Sequence, residues 1–532
     1  MAKMKQNDKN LHEKLWASAQ QLRANSSIKL NEVSEPILGL IFLKFADIHF
    51  QIAKEELASE KILILRDSSS TRVRPLSEDA FKARGVLYVP EQATYSYLMS
   101  LPEKTNMGNA INDAMRLIEE HNKDLAGVLP QNYISLVKKV SENDELLITL
   151  LKSFNQIPDD IGGDAFGGIY EYFLGQFALA EGQNGGEFFT AQSIVKLLVE
   201  VLEPYQGRIF DPACGSGGMF VQSANFVKKH KAYGAQVMDK ITIFGQEKTS
   251  STVNIAKMNL AIHGLSGKIV EANTYYEDPF NCVGKFDFVL ANPPFNVSGV
   301  DKNKQVVINP KKIEGDKRFS FGLPLTQKGD VTNANYLWAQ IFANSLNDSG
   351  RAGFVMANSA SDAGHAEKEI RRKLIEEDLI DVMISVGSNM FLNVTLSCGL
   401  WFFDKGKKET SRKGKVLFIN AQDIYTVVDR AHNAWTDEQI QEIADIVKRY
   451  RGEEGSGEYE DIKGRCKVVA IEDIMANDYV LNPGRYVEIE ARKGDYVDFE
   501  ERMKSLAGEF KTLTQDAHRL EEQIVLDLKK IL

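Results

Sequence analysis

The chain has 532 residues, a formal net charge of −10, and a composition of 43% hydrophobic and 26% charged residues. These values describe a water-soluble globular protein that is too long for a single domain. The acidic balance argues against a protein that holds nucleic acid unaided, because such proteins usually carry a basic excess for the phosphates. Action on DNA or RNA would therefore need a local basic patch or a partner subunit.

The N-terminus and the cysteines bear on location and metal binding. Residues 1–10 lack the apolar segment of a signal peptide, and the apolar run PILGLIFL, which ends before Lys44, is too short to span a bilayer. The four cysteines have neither CxxC pairs nor metal-ligand spacing, so no disulfide or metal site is expected. We expect a cytoplasmic protein without membrane contact.

Residues 1–160 are predicted to form a helical domain. Apolar residues recur at helical spacing in segments 30–57, 111–123 and 134–154. The polar segment 61–80 is predicted to be a loop or an insertion. Because no catalytic motif occurs in this part, we expect it to serve packing and docking.

From about residue 165, strand patterns alternate with helix patterns. Helices are predicted over 217–230, 250–264, 333–348 and 366–378, and the second of these begins with the Ser and Thr residues typical of helix starts. The predicted strands are 207–213, 240–248, 268–273, 285–295, 350–358, 379–386, 397–405 and 415–420. This alternation predicts an α/β fold with a doubly wound, mostly parallel sheet, which we assign to residues 161–480.

The remaining segment, 481–532, is predicted to be a helical tail. Its apolar residues follow a 4-3 spacing over nearly four heptads, which is typical of a coiled-coil seam. The seam comprises Phe499, Met503, Leu506, Phe510, Leu513, Ala517, Leu520 and Ile524. Either a partner helix buries this stripe or the tail packs on its own domain. We favour a partner helix, because a terminal stripe needs one in order to be buried.

The turn DPACGSGG, residues 211–218, is a candidate nucleotide-binding element. It lies between a strand and a helix, where glycines let the backbone approach a ligand and the helix N-terminus favours negative charge. The turn alone is weak evidence, because dinucleotide enzymes also use one, although their GxGxxG spacing differs. Glu247 ends the next strand, where an acidic side chain can bond ribose hydroxyls. A nucleoside is therefore the expected ligand.

Upstream, the segment EFFT ends at Thr190, which is predicted to cap the helix that starts at Ala191. The free N–H groups of that first turn can hold a carboxylate. On these residues alone, two core phenylalanines before a helix are an equally good interpretation. With the Gly-rich turn added, a nucleoside site beside an amino-acid carboxylate site indicates S-adenosylmethionine.

The sequence LANPPFN, residues 290–296, marks the rigid end of a strand. Prolines cannot continue a strand, so this corner presents Asn292 and Phe295 above the sheet. An amide oxygen, a fixed carbonyl and an aromatic face suit a planar amine or amide. The corner by itself does not distinguish among such substrates.

In this order, EFFT, DPACGSGG, GQEK and NPPF resemble the motifs of adenine-specific DNA amino-methyltransferases. The helical N-terminal part, segment 366–391 and the phrase LNPGRYV make the chain similar to the modification (M) subunit of type I restriction–modification systems over nearly its whole length. The resemblance implies a Rossmann-like, S-adenosylmethionine-dependent methyltransferase core with an all-helical N-terminal domain. It also implies a C-terminal helical tail for subunit assembly.

The resemblance further implies which residues hold the cofactor. The methionine end would be lined by Glu187, Phe188, Phe189, Thr190, Ala191 and Gln192, and the rest would be wrapped by Asp211, Ala213, Gly215, Ser216, Gly217 and Gly218. Glu247 would bind the ribose. Two positions depart from the family pattern. Asn273 stands where an Asp often lies near the adenine ring, and Ala191 replaces a proline, which we expect to reduce local rigidity modestly.

In the corner, the resemblance assigns catalysis to Asn292, Pro293, Pro294 and Phe295. The exocyclic amine of adenine is a poor nucleophile, because its lone pair is delocalised into the ring. The Asn292 oxygen and the Pro293 carbonyl would accept both N–H hydrogens and direct the lone pair at the methyl group. Phe295 would stack on a flipped base, or alternatively close the core above the strand.

The segment after the corner is long, lacks periodicity and is rich in basic residues. Its candidate DNA-binding residues are Lys302, Lys304, Lys311, Lys312, Lys317 and Arg318. They are expected to contact the phosphates that flank the flipped base, and a solvated loop is the alternative.

These expectations describe a catalytic subunit that methylates adenine in double-stranded DNA. Since no segment appears spare for target recognition, sequence choice is expected from a specificity (S) subunit, with two M subunits for each S subunit. A restriction/translocase (R) subunit would complete the complex, because no Walker-type loop occurs in this sequence. The alternatives are a solitary adenine DNA methyltransferase and an amino-methyltransferase of protein glutamine or RNA.

Overall fold

The computed structural model describes residues 11–20, 30–67, 77–102, 104–140, 145–161, 163–181, 190–230, 240–304, 315–391, 397–430, 432–487 and 499–531. The chain divides into two compact units, Met1–Val487 and Glu488–Leu532. The first contains a helical layer and a nine-stranded sheet. The second contains a long helix.

The helical layer occupies the N-terminal part of the first unit and extends beyond the predicted boundary at residue 160, because the helix Gly163–Glu181 packs into its apolar core. Its helices are α1 (11–20), α2 (Leu30–Asp67), α3 (Glu78–Lys82), α4 (Tyr95–Ser100), α5 (Met107–His121), α6 (Tyr133–Val140), α7 (Glu145–Phe154) and α8 (Gly163–Glu181). They share one apolar core, which also includes Met258 and Ile262 from a helix that covers the sheet. Because that core is continuous, the helical layer is packed firmly against the sheet.

Helix α2 is longer than the sequence indicated. The predicted loop 61–80 is wrong at its start, because α2 continues to Asp67, and at its end, where α3 begins at Glu78. The apolar stretch KILIL, 61–65, extends the helical pattern and accounts for the difference. Residues 68–76 lie outside the described part of the chain.

The long apolar helix α2 is a core element of the layer. Segment Val33–Ser59 has the length and composition to cross a membrane, but 83% of its apolar window is buried inside the protein. Lys44, at the end of the run PILGLIFL, is buried and bonds Asp159 at 2.8 Å. A satisfied charge in this position is typical of a packed helix in a folded domain.

The central sheet has the strand order β11-β8-β6-β7-β5-β4-β1-β2-β3. Its strands are β1 (Gly207–Asp211), β2 (Ile241–Glu247), β3 (Gly267–Glu271), β4 (Phe286–Ala291), β5 (Leu346–Ala357), β6 (Ile380–Val386), β7 (Cys398–Asp404), β8 (Lys415–Ala421) and β11 (Cys466–Ala470), while β9 (Thr426–Val427) and β10 (Asn433–Ala434) form a hairpin. Neighbours in the large sheet are parallel except where β7 pairs with β5 and β6 and where β11 pairs with β8. The prediction of a mostly parallel, doubly wound sheet is confirmed.

Helices cover both faces of the sheet. They are α9 (Gln192–Leu202), α10 (Gly218–Lys229), α11 (Ser250–Ile262), α12 (Asn335–Ser345), α13 (His365–Glu376), α14 (Asp437–Arg451) and α15 (Ile471–Ala476). One apolar cluster contains α9, α10, α11 and α14, and a second contains α12 and α13. The sequence prediction did not include α14, although Thr436 and Gln439 form a capping box at its start.

A buried ion network fixes helix α9 relative to the sheet. Asp381 in β6 is fully buried and pairs with Arg412 and Arg451. Arg451, at the end of α14, also donates to the carbonyl of Val201 in α9. The network therefore holds the C-terminal end of α9, and the N-terminal first turn of the same helix borders the site described below.

We expect Asp381→Asn to lower the free energy of unfolding by about 3–5 kcal/mol, because the buried Arg451 side chain would lose its carboxylate and Arg412 would keep only Asp404. In a matched control, Asp423→Asn removes a half-exposed partner of Arg465 and should cost less than about 1 kcal/mol. Urea unfolding followed by tryptophan fluorescence measures both changes. Equal costs would contradict the role of the network.

The second unit is described by α16 (Phe499–Ile531), which confirms that the C-terminal segment is helical. The predicted start at residue 481 is too early, because Leu481, Tyr486 and Val487 pack in a core of the first unit. The seam side chains that the structure describes are exposed, namely Met503, Leu506, Phe510, Leu513, Ala517, Leu520 and Ile524. Such a continuous apolar stripe on one helix is the kind of surface that a partner helix covers. What buries it stays a prediction.

Candidate functional site

The candidate site lies where the strand order of the sheet reverses. β1 and β4 are parallel neighbours, although β2 and β3 lie between them in the chain. In open α/β sheets, ligands bind outside the carboxyl ends of the strands at such a point. The Gly-rich turn follows β1, and the proline corner follows β4. A cavity of about 1320 Å³ is bordered by both and by α1, α2 and α8 of the helical layer.

The Gly-rich turn leaves open space beside its backbone. Gly215 and Gly217 adopt positive φ values of 50° and 80°, a region that L-residues rarely enter. A Cβ added at Gly215 or Gly218 would meet nothing within 4 Å. Both residues line the cavity, so the turn forms a cradle that a ligand can approach closely.

Acidic groups surround the base of this turn. Asp211 is buried, and its Oδ1 accepts a hydrogen bond from the Ala213 N–H at 2.9 Å. Burial raises the pKa of Asp211 to about 8. The bond from Ala213 lowers this pKa and the nearby charge of Glu247 raises it, both by less than burial does. Glu247 accepts from the N–H groups of Gly215 at 3.2 Å and Thr249 at 3.1 Å. Glu247, the residue predicted to bind the ribose, thus lies directly beside the turn.

Asn273 lies one strand further along the same edge. It follows β3, whose exit is joined to β2 by a bond from the Ala272 N–H to the Glu247 carbonyl at 2.8 Å. Its Oδ1 accepts from the Tyr275 N–H at 3.2 Å. This local bond orients the amide, but Asn273 is not among the residues that line the cavity, so its expected adenine contact stays a prediction.

Thr190 has a different role from the predicted one. Helix α9 begins at Gln192 with Ala191 as its N-cap, and no side chain caps it. The prediction that Thr190 caps this helix is therefore wrong. Its hydroxyl oxygen instead accepts a hydrogen bond from Nδ2 of Asn292 at 2.9 Å. The segment before α9 and the proline corner are joined by this bond.

The proline corner is held rigidly. Pro293 is buried, and Phe295 is half-buried against the apolar cluster that contains α9 and α10. Asn296 and Asn335 exchange two hydrogen bonds, from the Asn296 N–H at 2.9 Å and from the Asn335 amide at 2.8 Å. The chain is thus anchored to the start of α12 immediately after the corner. Asn335 lies outside every motif, and no local sequence pattern indicated this contact.

Three buried polar atoms that line the cavity have no hydrogen-bond partner among the described residues. They are Oγ of Ser193, Oδ1 of Asn259 and Oδ1 of Asn292. Buried polar groups are normally satisfied, so a cluster of orphan atoms around one cavity indicates a polar ligand. The sequence prediction included Asn292 but not Ser193 or Asn259, which lie in ordinary helical patterns on α9 and α11.

The predicted DNA-binding residues fall into three groups. Lys302, Lys304 and Lys317 are at least partly exposed, and Lys304 lies over the Tyr276 ring at 4.2 Å. Lys311 and Lys312 lie outside the described part of the chain, as do Glu187, Phe188 and Phe189 of the predicted cofactor segment.

Arg318 does not fit the predicted role. It is buried, paired with Asp316 at 2.7 Å, and donates to the carbonyl of Thr274 at 2.7 Å. These bonds tie the segment after the corner to the exit of β3. The placement supports a packing role for Arg318 rather than a phosphate contact.

Taken as a whole, the cavity fits S-adenosylmethionine. The open glycine cradle suits a nucleoside, and the uncapped first turn of α9 with the orphan Ser193 oxygen suits a carboxylate. Glu247 bonds the Gly215 N–H but is not among the residues that line the cavity, so its contact with a ribose stays a prediction. The orphan Asn292 oxygen remains for a hydrogen-bond donor on a second molecule. The cavity can therefore hold a cofactor and place a substrate amine at its edge.

Comparison with known proteins gives two family matches. The profile of the N-6 DNA methylase family matches residues 162–495, and that of the HsdM N-terminal domain matches residues 11–154. Of the curated relatives, the type I restriction enzyme MjaIX methylase subunit of Methanocaldococcus jannaschii is 35% identical over 96% of this chain and 89% of that protein. The HindI methylase subunit of Haemophilus influenzae is 35% identical over 80% of this chain and 92% of its own length.

Solved structures agree with these matches. The methyltransferase subunit of a type I restriction–modification system from Streptococcus thermophilus aligns with a TM-score of 0.71 at 25% identity, covering 91% of this chain and 100% of that one. A chain from a study of type I system assembly aligns with a TM-score of 0.56 at 19% identity, covering 97% of this chain and 98% of that one, and supports the fold.

We expect Ala191→Pro to stabilise the protein by about 0.4–1 kcal/mol. Ala191 already has a φ of −56°, within the range of proline, and its N–H donates to no described residue. Ala213→Pro is the opposite control, because it removes the N–H that bonds Asp211. Thermal unfolding at one pH compares the two variants with the parent. A lower midpoint for Ala191→Pro would refute the expectation.

Proposed function

Since this chain belongs to the N-6 DNA methylase family, in the group of type I restriction–modification methylase subunits, we propose that Asn292 and Pro293 are the groups that activate its substrate amine. The enzyme is an adenine-specific DNA methyltransferase that acts in restriction–modification. The observation that carries the proposal is the buried Oδ1 of Asn292, which faces the cavity without a partner among the described residues.

Asn292 is oriented for this task by its neighbours. Its Nδ2 donates to the Thr190 hydroxyl at 2.9 Å, so its Oδ1 is the atom left for the substrate. The Pro293 carbonyl supplies a second acceptor, held by the two prolines and by the Asn296–Asn335 pair. Two fixed acceptors draw both N–H hydrogens of the adenine amine and direct its lone pair away from the ring. S-adenosylmethionine supplies the electrophilic methyl group.

Phe295 provides the aromatic face beside these acceptors. It is half-buried and supported from below by the apolar cluster of α9 and α10. A base must leave the duplex to reach the corner, which costs a few kcal/mol. Stacking on an aromatic ring contributes about 1–3 kcal/mol per base and offsets much of that cost.

Sequence choice and DNA affinity are proposed to come largely from partners. The chain carries a net charge of −10, and its partly exposed Lys302, Lys304 and Lys317 are few for an unaided DNA-binding surface. We assign target recognition to a specificity subunit that binds two copies of this chain, and restriction to a separate translocase subunit. The complex would act in the cytoplasm, where the DNA is.

Asn292→Ala is expected to lower the rate of methyl transfer to DNA by about 10²–10³-fold, because one of two fixed acceptors is lost. Transfer of labelled methyl from S-adenosylmethionine, assayed with the specificity subunit, measures this change. Binding of S-adenosylhomocysteine should persist, which separates loss of chemistry from loss of fold. Asn477→Ala, on the exposed end of α15, is the matched control. Full turnover by Asn292→Ala would remove the proposed mechanism.

The exposed stripe of α16 is proposed to bind a partner helix in the complex. Phe510→Asp, within the stripe, should weaken co-purification with the specificity subunit while leaving cofactor binding intact. Lys511→Asp introduces an aspartate at the adjacent exposed position outside the stripe and should leave assembly unchanged. Size-exclusion chromatography of the co-expressed subunits distinguishes these outcomes. Equal behaviour of both variants would refute the role of the stripe.

A further inference from the structure

The cavity is lined by a glutamate side chain that no sequence motif indicated. Glu171 lies on α8 of the helical layer and lines the cavity. Its Oε2 accepts from Nε2 of Gln192 in the first turn of α9 at 2.7 Å. Its Oε1 accepts from Nε2 of Gln222 on α10 at 3.4 Å. One side chain thus reaches both helices that begin at the cofactor cradle.

Glu171 is short of positive charge. No lysine or arginine in the described part of the chain lies within 4.0 Å of it, and its ion-pair neighbour there is His263 Nε2 on α11 at 3.9 Å. Burial raises the pKa of Glu171 to about 7, with a smaller opposing effect from Lys196 on α9 and from the two glutamine amides. A carboxylate in this position would be stabilised by a cationic group inside the cavity.

The groups around Glu171 match the two charges of an amino acid. The uncapped first turn of α9 and the orphan Ser193 oxygen offer hydrogen-bond donors to a carboxylate. Gln192 stands in that same turn and bonds Glu171. An α-amino acid carries its ammonium and carboxylate on adjacent atoms, so acceptors for the ammonium must lie beside donors for the carboxylate.

We propose that Glu171 binds the α-ammonium group of the methionine part of S-adenosylmethionine. The assignment rests on the proposed function, which supplies the cofactor. The glutamine amides of α9 and α10 each bond one carboxylate oxygen and so hold the carboxylate at the cavity wall. Glu171 lies on α8, beyond the segment 1–160 for which packing and docking were expected.

The test compares two ligands on the full-length protein by calorimetry. S-adenosylhomocysteine carries the α-amino group, and its analogue with hydrogen in place of that group does not. Glu171→Gln should bind S-adenosylhomocysteine about 10–100-fold more weakly, as expected for a lost charged hydrogen bond. It should bind the deaminated analogue with the affinity of the parent protein.

Two controls make the outcome specific. Glu200→Gln removes a carboxylate of α9, the helix whose Gln192 bonds Glu171. Glu200 pairs with Lys229 outside the cavity, so this variant should not change either affinity. Equal weakening of both ligands by Glu171→Gln, or no weakening of either, would overturn the assignment. Failure of the parent protein to bind S-adenosylhomocysteine at all would instead overturn the proposed function.

Stability without ligand provides an independent readout. The raised pKa means that folding favours the neutral carboxyl, so this contribution is present at pH 4 and is lost as the pH rises through about 7. At pH 8, Glu171→Gln should therefore melt at a higher temperature than the parent protein, and at pH 4 it should not. His263 and Lys196, the charged neighbours of Glu171, are present in both proteins. A lower melting temperature at pH 8 would indicate a structural carboxylate and contradict the assignment.

Discussion

The site depends on one hydrogen-bonded contact, the parallel pairing of β1 with β4. Ile209 lies opposite Phe288 and Phe210 opposite Val289, although the two strands are separated in the chain by two further strands and two helices. This register brings the Gly-rich turn and the proline corner to the same edge of the sheet. The separation between the Gly-rich turn and the proline corner therefore depends on the pairing of these two buried strands.

The helical layer has a part in the same construction. Its core continues into α11 through Met258 and Ile262, and α1, α2 and α8 close one side of the cavity. A nucleoside and an amino acid must be separated from water together if the methyl group is to meet a single nucleophile. The layer closes one side of the cavity at the carboxyl edge of the sheet and would limit the access of water to a ligand there.

Much of the fold and the centre of the site could be predicted from local sequence, because alternating strands and helices, a glycine turn and a double proline each leave a short-range pattern. The residues that were missed make long-range contacts. Glu171 and Asn259 sit in ordinary helices and acquire their meaning only when α8 and α11 meet the cavity. Arg318 shows the converse, since a basic residue in a polar segment reads as exposed until its buried pairing with Asp316 is seen.

The bond between Thr190 and Asn292 has a thermodynamic consequence. It joins the segment that precedes α9 to the amide that we propose accepts a hydrogen bond from the base. Binding at either end therefore bears on the same side chain, and linkage makes any such effect mutual. If cofactor binding orders this amide and so favours binding of the base, then binding of the base favours cofactor binding by the same free energy. A subunit built this way would retain its cofactor most firmly on a correctly presented target and release it more easily elsewhere.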